Sequence, residues 1–272
     1  RMVHYFCNLP SSMRKLVYII LCFGHLLNAQ LTPKAIFKDS MKIDAKSIFG
    51  VDTFGTFYYT TEDNTFYKKT NDTIVTYTNF QLNEITTANA FNPLKINLFY
   101  EDFNTAIILD NRLAEIFKID FNIITPYKNV SFISTGFDNT LWIFNQDLQQ
   151  LELYDYITNK IRLKTVPIQS QILGLKSDYN YCYMLTEKYL YIYNYFGSLV
   201  EKHVNEGFEK MAFSKGHLVL EKDNKLYILL KNSSEILLIE HPKMLINQFL
   251  VTTETLYIYN DGMLSRYQLK ME

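Results

Sequence analysis

The sequence predicts an all-β fold, a six-bladed β-propeller whose blades are four-stranded sheets of about 40 residues. Three observations carry that prediction. Tyr, Ile, Leu, Phe and Thr gather in runs of four to seven residues, and no stretch shows the sustained three-four apolar spacing of a helix. The strongest of these runs recurs at a nearly fixed interval. A turn follows each recurrence, and five of the six turns contain Asn, which tolerates the positive φ of a tight hairpin.

At the N-terminus, Met13 to Ala29 reads as a secretory signal. Arg14 and Lys15 form the positive end, Leu16 to Phe23 the apolar stretch, and Leu27-Asn28-Ala29 the cleavage site before Gln30. Residues 1–12 read as an upstream extension and 30–272 as one propeller domain. The apolar stretch is shorter than the roughly 20 residues that span a bilayer, and no second run of that length follows, so the mature chain is not expected to span a membrane. Cys22 follows Leu21 where a lipoprotein cysteine needs a small residue, which disfavours lipidation. Removing residues 1–29 leaves 243 residues with 24 basic and 28 acidic side chains, and Cys182 as the sole cysteine. Stability then comes from packing, without an internal disulfide. Over the whole chain, 27 basic side chains balance 28 acidic ones, giving no electrostatic footprint for nucleic acid.

The repeats follow in order. Tyr58, Leu98, Trp142, Tyr183, Val219 and Ile258 mark the recurring apolar run, at intervals of 40, 44, 41, 36 and 39 residues. The turns after it are Glu62-Asp63-Asn64, Glu101 to Asn104, Asn145-Gln146-Asp147, Thr186-Glu187-Lys188, Lys222-Asp223-Asn224 and Asn260-Asp261-Gly262. Pro93, Pro126, Pro167 and Pro242 fall near the expected unit boundaries, where a missing N–H does least harm to a ladder, and Asn205-Glu206-Gly207 marks the fifth. The fourth unit holds strands at Ile172 to Leu175, Tyr181 to Leu185, Tyr189 to Tyr193 and Leu199 to His203. The fifth holds Lys210 to Phe213, His217 to Glu221, Leu226 to Leu230 and Ile236 to Glu240. The sixth is one strand short, with Phe249 to Thr252, Leu256 to Tyr259 and Leu264 to Leu269. Ala35 to Asp39 is a surplus strand ahead of the first unit, which begins near Ser47. The expectation is that this N-terminal strand joins the last blade and closes the ring, leaving no long bare edge. Five or seven blades, or another all-β fold, are the alternatives.

Val51 to Tyr67, Ser134 to Phe144 and Leu185 to Gly197 resemble exported, uncharacterised β-propeller proteins of flavobacteria, and a leader ending in Asn-Ala before Gln is typical of that phylum. The resemblance implies a fold and an export address; it carries over no activity and no functional residue. The last residues include Tyr267-Gln268-Leu269-Lys270 and no Gly-rich sorting domain, which favours the expectation of a periplasmic or outer-membrane-associated location over the cell surface.

Little in the sequence points to chemistry. His203, His217 and His241 lack a second imidazole or cysteine at metal-ligand spacing, so no metal site is expected. No G-x-S-x-G elbow and no phosphate-binding glycine loop occurs, and Gly197-Ser198 belongs to a hairpin. Cys182 alternates with Tyr181 and Tyr183 and reads as a small buried hydrophobe. Asp138-Asn139 and Asp223-Asn224 suit tight turns better than a calcium loop. The inner strands, such as Ser131 to Ser134, Leu173 to Leu175 and Phe249 to Val251, carry hydrophobic and hydroxyl residues, without the paired carboxylates of a glycosidase. Trp142 reads as core, and most of the 21 Tyr and 20 Phe as packing between blades. The exception is Tyr195-Phe196, two aromatics in a hairpin turn and the candidate contact surface. The expected role is a non-catalytic scaffold or protein-interaction module of the bacterial cell envelope, with an envelope protein as partner and no cofactor. The alternatives are a carbohydrate-binding or sensing propeller and, behind it, a tunnel-mouth hydrolase or lyase.

Overall fold

A computed structural model describes residues 32–52, 54–230 and 233–271. The segments expected to be a leader and an upstream extension lie outside the described residues, as do Cys7 and Cys22. The described chain enters through β1 (Pro33–Lys42) and then runs through five complete antiparallel sheets. The first is β2 (Ser47–Val51), β3 (Phe57–Thr60), β4 (Phe66–Lys69) and β5 (Ile74–Tyr77). The second is β6 (Thr87–Asn89), β7 (Ile96–Tyr100), β8 (Thr105–Leu109) and β9 (Glu115–Asp120). The third is β10 (Val130–Thr135), β11 (Thr140–Asn145), β12 (Gln150–Asp155) and β13 (Lys160–Lys164). The fourth is β14 (Ile172–Ser177), β15 (Tyr181–Thr186), β16 (Tyr189–Asn194) and β17 (Leu199–Val204). The fifth is β18 (Lys210–Ser214), β19 (His217–Lys222), β20 (Lys225–Leu229) and β21 (Ile236–Leu238). The sixth sheet takes β22 (Gln248–Val251), β23 (Thr255–Asn260) and β24 (Met263–Met271) from the C-terminal end, with β1 paired antiparallel on β24.

The first strand of each sheet touches the first strands of the two neighbouring sheets, so the six sheets stand in a ring around a central tunnel: a six-bladed propeller. The six recurring residues all fall in the second strand of their blade and are all buried. That strand is covered on both faces by the neighbouring blades, so its sequence is a nearly continuous apolar run instead of an alternating one. β7 and β11 are the extreme cases, with every residue buried. The outer strand β13 instead alternates, with Lys160, Arg162 and Lys164 accessible while Ile161 and Leu163 turn inward. Six apolar clusters fill the six gaps between blades. The cluster that joins the last blade to the first packs Tyr257, Tyr259 and Leu264 on Ile48 and Tyr59. Trp142 lies in the gap between the third and fourth blades with Cys182, whose thiol pKa is pushed well up by burial and secondarily by Asp178.

Turn chemistry follows the sequence in most blades. Asn64, Asn104, Asp223, Asn224 and Asp261 take the left-handed conformation. Two turns work differently. In the third blade Gln149, not Asn145, carries the positive φ. In the fourth, the Thr186 hydroxyl accepts the backbone N–H of Tyr189, which does the work of the missing Asn. Pro126, Pro167 and Pro242 lie in crossovers between blades. Pro93 does not: β6 is only three residues long, and Pro93 falls in the loop from β6 to β7, at the tunnel mouth.

Candidate functional site

Because neighbouring strands alternate in direction, the loops after the first and third strands of every blade share one face of the disc. The turns after the second strand and the crossovers share the other. Tyr195 and Phe196 form the β16–β17 turn and therefore lie on the first of these faces. The turn is built by Asn194, whose side-chain oxygen accepts the N–H groups of Phe196 and Ser198. Gly197 completes it at φ +76, with Leu163 Cδ1 only 2.6 Å from where a Cβ would stand. Phe196 is 68% exposed and Tyr195 40%, with ring centroids 3.9 Å apart. Tyr195 also meets Phe137 of the neighbouring blade edge-on at 5.9 Å, and the Arg162 guanidinium lies 5.3 Å over the Phe137 ring. The patch thus bridges the third and fourth blades.

Toward the axis on the same face, the ends of five innermost strands enclose a cavity of about 340 Å³. Phe49, Val51, Phe91, Phe213, Leu250 and Val251 contribute its apolar lining. At its rim Phe91 of the second blade meets Tyr179 of the fourth edge-on at 5.0 Å, spanning the intervening blade. Phe54, in the β2–β3 loop, is 89% exposed. Below the rim, small polar groups tie blades together. Asn89 Nδ2 donates to Ser134 Oγ at 3.1 Å, the Ser177 hydroxyl donates to the Thr135 carbonyl and its oxygen lies in hydrogen-bond contact with Ser134 Oγ at 2.7 Å, and Asn97 Nδ2 donates to Thr135 Oγ1 at 2.9 Å.

Three side chains that carry charge at neutral pH, Asp52, Lys176 and Lys215, line the cavity together with the Tyr58 phenol. Asp52 Oδ1 accepts the N–H groups of Phe54 and Thr56, fixing the β2–β3 loop, while Oδ2 faces the Tyr58 hydroxyl at 3.5 Å. Burial and the Asp52 charge raise the Tyr58 hydroxyl well above its ordinary pKa, so it stays protonated. Lys176, on β14, is surrounded by protein except for a partial opening to the cavity, and loss of hydration lowers its pKa. Among the described residues its ammonium has no ion pair and no hydrogen bond. The opposite face carries a shallower polar depression of about 700 Å³, lined by Glu101, Asn129, Gln146, Asp147 and Gln171 among others.

The structure brings Tyr195 and Phe196 together on the surface as a pair, while Phe54, Phe91, Tyr179 and Lys176 are additions that the sequence did not single out. Lys176 corrects the description of the inner strands as hydrophobic and hydroxyl only: β14 runs two residues beyond Leu175 and ends Lys176-Ser177. A charged residue closing an otherwise apolar inner strand was the available signal. The histidines stand apart, with His203 Nε2 3.0 Å from Glu201, His241 against the Pro242 carbonyl, and His217 lowered in pKa by burial. The oxygens of the proposed calcium alternatives serve the fold, Asp138 O and Asn139 Oδ1 both accepting from Lys95 Nζ at 2.8 Å. Among the described residues no three His, Cys, Asp or Glu side chains are grouped to hold a metal ion. No described helix is long and apolar enough to cross a membrane.

No protein-family model matches the sequence, and no curated protein matches it. Solved structures do resemble it. Virginiamycin B lyase from Staphylococcus aureus superimposes with a TM-score of 0.59 over 88% of this chain and 100% of that one, at 11% identity. A streptogramin B lyase structure gives 0.59 over 89% and 88%, at 12% identity. A chain of a mitotic checkpoint complex gives 0.58 over 89% and 94%, at 9% identity. At these identities the likeness shows the propeller fold alone.

Proposed function

We propose that the chain is an exported, non-catalytic propeller that docks a protein partner of the cell envelope on the face bearing Phe54 and Phe196. One observation carries the reading: on that face partly exposed rings gather across blades, Tyr195 and Phe196 with Phe137 at the β16–β17 turn and Phe91 with Tyr179 at the tunnel mouth. The turn is rigidly made by Asn194 and Gly197, so its two rings are held in place before a partner arrives. Exposed aromatics on a preformed turn suit a contact that buries rings without ordering a loop. Asp52 is the only carboxylate lining the cavity and is already engaged by two backbone N–H groups, which favours binding over acid–base chemistry. The export address rests on the leader sequence, and the periplasm or the outer membrane is the compartment it implies.

The test is a photo-crosslinking residue placed at Phe196 or Phe54, with controls at Phe80 and Val166 in crossovers of the opposite face, carried out in intact envelope. The expected outcome is one stoichiometric partner captured from both positions of the first face, absent from the controls and lost with Tyr195→Ala plus Phe196→Ala. Equal capture from both faces, or a partner that survives the double substitution, overturns the reading. Stabilisation by an envelope polysaccharide, abolished by the same double substitution, would make those rings a sugar platform instead.

A further inference from the structure

We propose that the tunnel mouth is a binding site for a small organic anion with an apolar body, its carboxylate taken by Lys176 and its body held among Phe49, Phe91, Phe213 and Leu250. The cavity volume of about 340 Å³ falls within the range of small-molecule sites, and its lining is mostly aliphatic and aromatic with few polar groups. The polar groups beside Lys176 are already committed to one another. Ser177 is bound to Ser134 and Thr135, Asn89 to Ser134, and Asp52 to its own loop.

Lys176 has no hydrogen-bond or ion-pair partner among the described residues, and unlike Lys215 at the exposed rim its surroundings strip it of water. A partly dehydrated cation without a counter-charge is a standing cost to the fold, and it is relieved by an acceptor arriving from the cavity. One enclosed cation, with Lys215 exposed at the rim and Asp52 on the far loop, suits a monoanion better than a dianion. The Phe91–Tyr179 pair then covers the apolar body, since these rings meet over the mouth from the second and fourth blades, with the third between them. This site does not depend on the docking reading. A ligand in the mouth and a partner on the β16–β17 turn are separable by substitution at Lys176 and at Phe196.

The test is calorimetric titration of the full purified chain with 4-phenylbutyrate and with its neutral isostere 4-phenylbutyramide. A hydrogen bond to a charged group predicts that the acid binds at least about ten-fold more tightly than the amide. Lys176→Met is expected to equalise the two ligands, and Lys176→Arg to keep the preference. Phe91→Ala is expected to weaken both alike. Absence of binding, equal binding of acid and amide to the unmodified chain, or a preference that survives Lys176→Met overturns the proposal. The acid–amide comparison on the unmodified chain decides the matter even if Lys176→Met fails to fold.

Discussion

Lys128 and Glu152 form an ion pair at 2.6 Å with side chains only 4% and 0% exposed, between the crossover entering the third blade and the middle of β12. Burying two charges gains little over an apolar pair, but removing one partner leaves the other stranded. Glu152→Gln is expected to cost about 3–5 kcal/mol in urea denaturation, while Lys128→Met combined with Glu152→Leu recovers most of that loss. A single substitution that costs less than about 1 kcal/mol would show that water reaches the pair. This pair was illegible in the sequence, because a Lys in a loop and a Glu in a strand are ordinary surface residues until the crossover folds over β12. Lys176 escaped for a related reason: whether a charge at a strand end meets water or a cavity depends on five other blades. Tyr195 and Phe196 were legible because a hairpin turn is a local object whose tip projects outward whatever the rest of the chain does.

At the scale of single hairpins, carboxylates do more than decorate the turns. Asp155 at the end of β12 accepts the N–H groups of Ile157 and Thr158 through Oδ1 and both Nε and Nη2 of Arg162 through Oδ2. Desolvation is the largest single influence and works to raise its pKa, but the Arg162 bonds and the two backbone donors together outweigh it and hold the carboxyl below its ordinary value. Asp63 is lowered mainly by the hydroxyls of Thr61 and Thr65, and Asp110 by the N–H groups of Ala114 and Arg112. A carboxylate whose folded pKa is depressed stabilises the fold fully above its unfolded pKa of about 4, and that stability is lost as pH falls through the folded value. The denaturation midpoint is therefore expected to fall between about pH 5 and pH 2, and Asp155→Asn to flatten part of that fall while lowering the midpoint at neutral pH. An unchanged acid limb in Asp155→Asn would refute that role for Asp155. Strands were legible in proportion to their burial. The second strands, covered on both faces, stand out as apolar runs, whereas β6, Thr87-Ala88-Asn89, is too short and too polar to register, and for that reason Pro93 was assigned to a boundary.

On the scale of the whole molecule, the sheet shared by β1 and β22 to β24 ties together the two ends of the described chain. Pairing runs from Pro33 opposite Met271 to Lys42 opposite Met263, and Phe37 packs edge-on against Tyr267 at 5.6 Å. Removal of residues through Lys42 uncovers the full length of β24 and part of an apolar cluster containing Ala35. The truncated protein is expected to unfold at a lower temperature and to self-associate in size-exclusion chromatography, and a peptide spanning Pro33 to Lys42 is expected to restore the monomer. A truncated chain that stays monomeric with an unchanged Tm would show that β1 is dispensable. The shared sheet could be anticipated from counting alone, since the sixth unit lacks one strand and a spare strand precedes the first unit. The partner and the face it uses have no such arithmetic, because they depend on which side chains meet at the disc surface.

The same shared sheet has a mechanical consequence. Pro33 and Met271 face each other at one end of the pairing, so a tension drawn between the two termini concentrates on that first rung and then on each rung in turn. Tethered at both ends, the disc would peel open like a zip under modest load; tethered at one end only, it would carry the pull through its root and keep the seam slack.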